Sequence, residues 1–224
     1  MALKKKIWVK ICGIKTIRHA RVAYRYGADA IGLVFTKSPR RVYFKKAKQI
    51  VEGLPKNIGK VGVFVNPTFE YIMKAVKRSE ITMVQLHGTE TFEFCKKIDD
   101  AIPVIKAIRI KPNQNISVLK PYKQFMIILD TYSQNLQGGS GKSFDWGFAK
   151  RAREKGYKII LSGGLNPENV QKAIRYVKPF GVDVSSGVEK ILAVKDADKI
   201  KEFLSNAKGP TVGKRTLKTL TPVF

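Results

Sequence analysis

Several apolar, β-branched runs in this sequence end on a residue that can move a proton or grip an anion. Cys12 closes IWVKIC, His87 follows MVQL, Arg109 follows VIKAI, and Asp130 closes MIILD. Ser162 with Gly163 and Gly164 ends KIILS, and Asp183 to Gly187 run through GVDVSSG. Cys12 shares a strand face with Lys10, whose ammonium would favour a thiolate and make the cysteine a usable base. A buried, inert thiol fits that spacing as well. Asp130 directly follows MIIL, where burial would raise its pKa and let it act as an acid. His87 is expected either to line a site or to cap a hydrogen-bond network.

Other segments suit anions. SGGLNPENV and DVSSG combine backbone amides with a helix N-terminus, an arrangement fit for a phosphate, and they point to Gly163, Gly164, Ser185, Ser186 and Gly187. GGSGKSFDW matches the end of a nucleotide P-loop, but Leu136 stands where its first glycine belongs. It is therefore expected to be a flexible Gly-rich loop after the sixth run, either closing over substrate or serving as an inert connection. With 2 histidines in the chain, no metal site is expected.

Such residues need a scaffold that brings strand ends together. Eight apolar runs begin at Ile7, Ala30, Val61, Met83, Val104, Met126, Lys158 and Gly181. Most are continuous, as in strands covered on both faces of a parallel sheet. Between them lie helix signals: Thr16 before IRHARVAYRY, Asn66-Pro67 before TFEYIMKAVKRS, and Asn166-Pro167-Glu168 before NVQKAIRYVK. Helices are also expected over 44–54, 90–99, 145–155 and 195–207, with 113–122 the weakest. Eight βα units of this length predict a single α/β domain, a (β/α)8 TIM barrel over residues 1–208, with function at the C-terminal strand ends. An open doubly wound sheet would more often carry G-x-G-x-x-G after its first strand, where this chain has CGIKTI. Residues 209–224 lack a helical period and are expected to form a mobile basic tail.

Composition sets the outer limits. The 224 residues are 44% hydrophobic and 27% charged, which suits a globular chain. No apolar run reaches the roughly 18–20 residues of a membrane helix. Two distant cysteines are expected to stay reduced, so the compartment expected is the cytoplasm. The net charge of +26 is unusual, and residues 1–50 hold 14 Lys/Arg against Asp29 alone. Those cations are interleaved with apolar residues at structural spacing and no RNA- or DNA-binding signature accompanies them. They are read as a solvated basic surface, not a nucleic-acid site.

Taken together, VKICGI, GADAIGLVF with KSPR, VGVFVN, VQLHG, ILD, GGSGKSFDW, LSGGLNPENV and VDVSSGVE resemble, in content and order, the phosphoribosylanthranilate isomerase family of tryptophan biosynthesis. The resemblance covers about residues 7–207. It implies a cofactor-free Amadori rearrangement of N-(5-phosphoribosyl)anthranilate to 1-(2-carboxyphenylamino)-1-deoxyribulose phosphate, in a monomer or homodimer. It makes Cys12 the general base and Asp130 the general acid, and gives Arg40 the anthranilate carboxylate. Gly163, Gly164, Ser185, Ser186 and Gly187 would cradle the phosphate, and His87 and Asp183 would contact substrate. The family often has Pro-Gly where this chain has Leu192-Ala193, and an aromatic where it has Arg41. Two alternatives are another sugar-phosphate isomerase of this fold and a nucleic-acid-binding barrel without catalysis. Histidine count opposes a metal-dependent epimerase, and Cys12 stands where the related isomerase of histidine synthesis has a carboxylate.

Overall fold

A computed structural model describes residues 7–131 and 146–209. Most of the Gly-rich loop and all but the first residue of the expected tail lie outside these residues. The eight runs become β1 (Trp8–Ile11), β2 (Ala30–Val34), β3 (Gly59–Phe64), β4 (Met83–Leu86), β5 (Val104–Ile110), β6 (Met126–Thr131), β7 (Lys158–Leu161) and β8 (Gly181–Val184). All pair in parallel and in sequence order, and β1 closes on β8 with Lys10 opposite Asp183. The chain is thus a (β/α)8 barrel.

The helices are α1 (Ile17–Arg25), α2 (Phe44–Glu52), α3 (Phe69–Ser79), α4 (Phe92–Asp99), α5 (Trp146–Glu154), α6 (Pro167–Val177) and α7 (Ala197–Lys208). Thr16, Thr68, Thr91 and Asn166 cap α1, α3, α4 and α6 by accepting a backbone N–H of the first turn. The helix expected over 113–122 is instead a 3₁₀ segment, Ile116–Tyr122, with Pro121 inside it. Proline has no N–H to give and crowds the preceding turn, so a regular α-helix cannot run through.

Side-chain alternation divides the core. Val9, Ile11, Ile31, Leu33, Ile127, Leu129 and Val182 belong to the large cluster that the helices cover. Ala30, Val61, Ile105, Ala107, Ile128 and Ile160 form a separate apolar cluster plugging the barrel. Above that plug the inward positions turn polar: Lys10, Gln85 and Asp183 are all buried.

Between β8 and α7 the chain makes a hairpin that the periodicity does not announce, β9 (Glu189–Ile191) and β10 (Val194–Lys195). Its turn holds Ala193 at φ +63°, a left-handed conformation that costs an L-residue with a Cβ about 1–2 kcal/mol. Ala193→Gly is therefore expected to raise stability by about 1 kcal/mol, read as a higher urea midpoint at unchanged slope.

Candidate active site

The C-terminal strand ends enclose a cavity of about 460 Å³ lined by Cys12, Arg40, His87, Arg109, Asp130, Ser162, Gly163, Gly164, Asp183, Ser185 and Ser186. Of the expected site residues, Gly187 alone is outside this lining. It stands directly behind it, where a Cβ would meet the Leu165 carbonyl oxygen at 1.9 Å. Glycine there lets the β7 and β8 loops touch backbone to backbone. Gly163 and Gly164 supply left-handed backbone on the opposite loop.

Helix α6 leaves fewer N-terminal amides open to an anion than its sequence promises. Asn166 and Asn169 form a reciprocal capping box, each side-chain oxygen accepting the other's backbone N–H, and Pro167 has no N–H. The glycine loop and the β8 turn are left as the main amide sources.

Cys12 projects inward over Gly32, whose missing Cβ leaves room for the sulfur; an added Cβ would meet Sγ at 2.6 Å. Beneath it, Lys10 Nζ lies 2.6 Å from Asp183 Oδ1 with the lysine fully buried. Burial, the largest single influence, pulls the Lys10 ammonium down, but Asp183 and Cys12 together outweigh it and the net direction is up. The sequence reading credits Lys10 with favouring a thiolate. It does oppose burial, yet burial prevails and the Cys12 thiol is pushed above its ordinary value. Alkylation of Cys12 by iodoacetamide should accordingly rise with pH through a midpoint above the free-cysteine value of about 8.5. Cys95, fully buried on α4 and pushed up to about 11, should not compete.

Asp130 is not buried as MIILD suggests: its side chain is 26% exposed, and Oδ2 lies 3.1 Å from His87 Nε2. Strand β6 ends one residue beyond it, so the carboxylate stands at the rim facing the cavity. His87 both lines the site and belongs to a network, since its Nδ1 is 2.9 Å from Gln85 Nε2.

Arg40 crosses the mouth beside Gly13, where an added Cβ would meet its Cδ at 2.7 Å. Its Nε and Nη2 each donate to Glu189 at 2.7 Å. Lys195 Nζ shares the same carboxylate at 2.8 Å and also donates to the Ser185 carbonyl at 2.8 Å. Burial disfavours the Glu189 charge, but hydrogen bonds from Arg40 and Lys195 hold the carboxyl at about 2. Arg41 points elsewhere, stacked over the exposed Tyr43 ring at 5.0 Å. Glu189 and Lys195 escaped the sequence reading because they lie far along the chain from Arg40.

With Cys12 after β1 and Asp130 on β6 flanking the β7 and β8 loops on one cavity, the site is that of a (β/α)8-barrel enzyme suited to acid–base chemistry. The chain belongs to the N-(5'-phosphoribosyl)anthranilate isomerase family, whose model matches residues 9–206. Among its relatives, the isomerase of Trichlorobacter lovleyi is 44% identical over 203 residues, covering 90% of this chain and 98% of that protein. The Thermotoga maritima crystal structure is 45% identical with a TM-score of 0.84, covering 91% of this chain and 99% of the other. A further isomerase structure, solved with reduced 1-(o-carboxyphenylamino)-1-deoxyribulose 5-phosphate, is 43% identical at TM-score 0.82 and covers 91% and 99%. The activity is that of the family, isomerisation of phosphoribosylanthranilate.

Proposed function

We propose that Cys12 and Asp130 are the base and acid of this isomerisation. Asp130 gives a proton to the furanose ring oxygen as the C1'–O bond breaks and the anilino nitrogen forms an iminium. The Cys12 thiolate then takes the C2' proton, and its electron pair becomes the C1'=C2' bond of an enolamine, which tautomerises to the ketone. The observation that carries the assignment is the placement of both side chains on one cavity, on separate strands, with Cys12 set above a buried ammonium.

The remaining assignments follow the chemistry of the substrate. Gly163, Gly164, Ser185, Ser186 and Gly187 would hold the phosphate. Arg40, already turned into the cavity mouth, would take the carboxylate. Asp183 would serve through Lys10, to which its Oδ1 is bonded, and through Ser162, 3.4 Å from Oδ2. The solved relative's bound phosphorylated compound supports a small phosphorylated substrate. A monomer or homodimer in the cytoplasm fits this reading; one Thermotoga maritima structure is described as monomers of a dimeric isomerase, and no helix among the described residues is long and apolar enough to cross a membrane. Arg18, Arg21 and Arg25 stand exposed along α1, as in a solvated basic face without nucleic acid.

Following anthranilate fluorescence of freshly made substrate with and without the protein tests the activity; an unchanged trace would remove it. Arg40→Ala should raise KM at least about tenfold, the scale of a lost charge-assisted carboxylate contact, whereas Arg41→Ala should leave it within about twofold. Steady-state kinetics of the two variants check this, and a larger effect at Arg41 would reverse the assignment.

A further inference from the structure

Strand alternation puts Gln85 on the same inward face as His87, with Asp130 at the rim on β6, two strands away. The three make a chain: Gln85 Nε2 to His87 Nδ1 at 2.9 Å, and His87 Nε2 to Asp130 Oδ2 at 3.1 Å. Gln85 is 1% exposed, and its Oε1 is a buried side-chain atom with no hydrogen-bond partner among the described residues. Reversing the amide would let Oε1 accept from Nδ1–H but would leave both amide N–H groups unpaired instead. A buried carbonyl short of a donor is tolerated better than an orphaned N–H. The amide therefore donates, His87 Nδ1 accepts, and a neutral imidazole must carry its proton on Nε2.

Resting on the acid assignment above, we infer that Gln85 is a positioning residue that fixes His87 in the Nε2–H tautomer and so confines the catalytic proton to Asp130 Oδ1. With Nε2–H donating to Oδ2, that oxygen cannot also hold the acid proton along the same line. Oδ1–H delivers it to the ring oxygen, and the pair left on Oδ1 makes a carboxylate. The His87 hydrogen bond then changes from neutral to charge-assisted as the proton departs, so it is stronger in the transition state than in the ground state. The other tautomer would do the reverse. Its bare Nε2 would accept from Asp130 Oδ2–H and hold the proton away from substrate. The orphaned Gln85 oxygen is the stability cost of choosing the productive form.

The chain contains 2 histidines, so nitrogen NMR of the protein with 15N-labelled imidazoles reads His87 directly, once pH is high enough for a neutral ring. His19, whose Nδ1 faces Thr16 Oγ1 at 3.0 Å, serves as the internal reference. The wild type should show His87 protonated at Nε2 and bare at Nδ1. Gln85→Leu should release that preference and lower kcat about tenfold, less than the roughly 100-fold or more of a direct acid–base group because Gln85 acts through His87, with KM within about threefold. Gln85→Glu, which places an acceptor against Nδ1, should move the proton to Nδ1 or charge the ring. A wild-type His87 protonated at Nδ1 would overturn the inference without any variant. So would a loss of kcat in Gln85→Leu with the tautomer unchanged, since that is a merely structural effect. Because the tautomer is read without turnover, an Nε2–H ring in a protein lacking isomerase activity would sink the proposed function and, with it, the catalytic use of the proton, while the fixing of the tautomer by Gln85 would stand.

Discussion

Cys12→Ser and Asp130→Asn should each lower kcat by at least about 100-fold, close to 3 kcal/mol of barrel-top chemistry. Serine keeps the shape of cysteine but ionises so reluctantly that the fully buried Lys10 beneath it cannot make an alkoxide base. Asparagine keeps the acceptor that faces His87 Nε2, yet has no carboxyl proton to give the ring oxygen. KM should move far less in both, since neither side chain is assigned to phosphate or carboxylate. Steady-state and single-turnover fluorescence measure this, and turnover within a few-fold of wild type in either variant would mean that another group moves the proton.

Asp183→Asn should cost about 3–5 kcal/mol of stability, the range for removing one partner of a buried ion pair. Lys10 is then left charged, fully enclosed and without its carboxylate. Lys10→Met with Asp183→Leu should regain most of that loss because no isolated charge remains. It should not regain activity, since Cys12 then lacks its only opposing cation on β1. Urea titrations of the single and double variants decide the first point, and a double variant no more stable than Asp183→Asn would refute it. The pH dependence has a definite sign. Lys10 is raised in the folded chain, so the pair's stabilisation is complete below the unfolded lysine value of about 10.4 and is lost only as pH climbs through the higher folded value.

Much of this was legible in the residues. Parallel strands covered on both faces must run apolar, so the first polar residue after each run marks a strand end. That rule located Cys12, His87, Asp130 and Ser162 at the mouth of one cavity. It also misled at Asp130, because sequence position beside MIIL says nothing of how far the strand projects past its neighbours. The α6 capping box could have been read from Asn166 and Asn169, three apart. The tie of Arg40 to Glu189 could not, because 149 residues separate them and charge alone does not choose partners. Gln85 carried a signal that went unused: alternation sets it on the face of His87, where a buried amide must spend its donors on something.

The pairing of Lys10 with Asp183 across the β1–β8 seam has a temporal side. These residues are 173 apart, and their strands are the first and last of the barrel. A ribosome must deliver all eight barrel strands before they can meet, and closing so long a loop is among the slowest contacts a chain of this size makes. The cation beneath Cys12 is thus put in place by the last stitch of the sheet. A half-made barrel, however native its early strands, holds a lysine with no carboxylate and a cysteine with no floor. Regain of turnover during refolding will consequently lag behind the return of secondary structure and will time the closing of that seam.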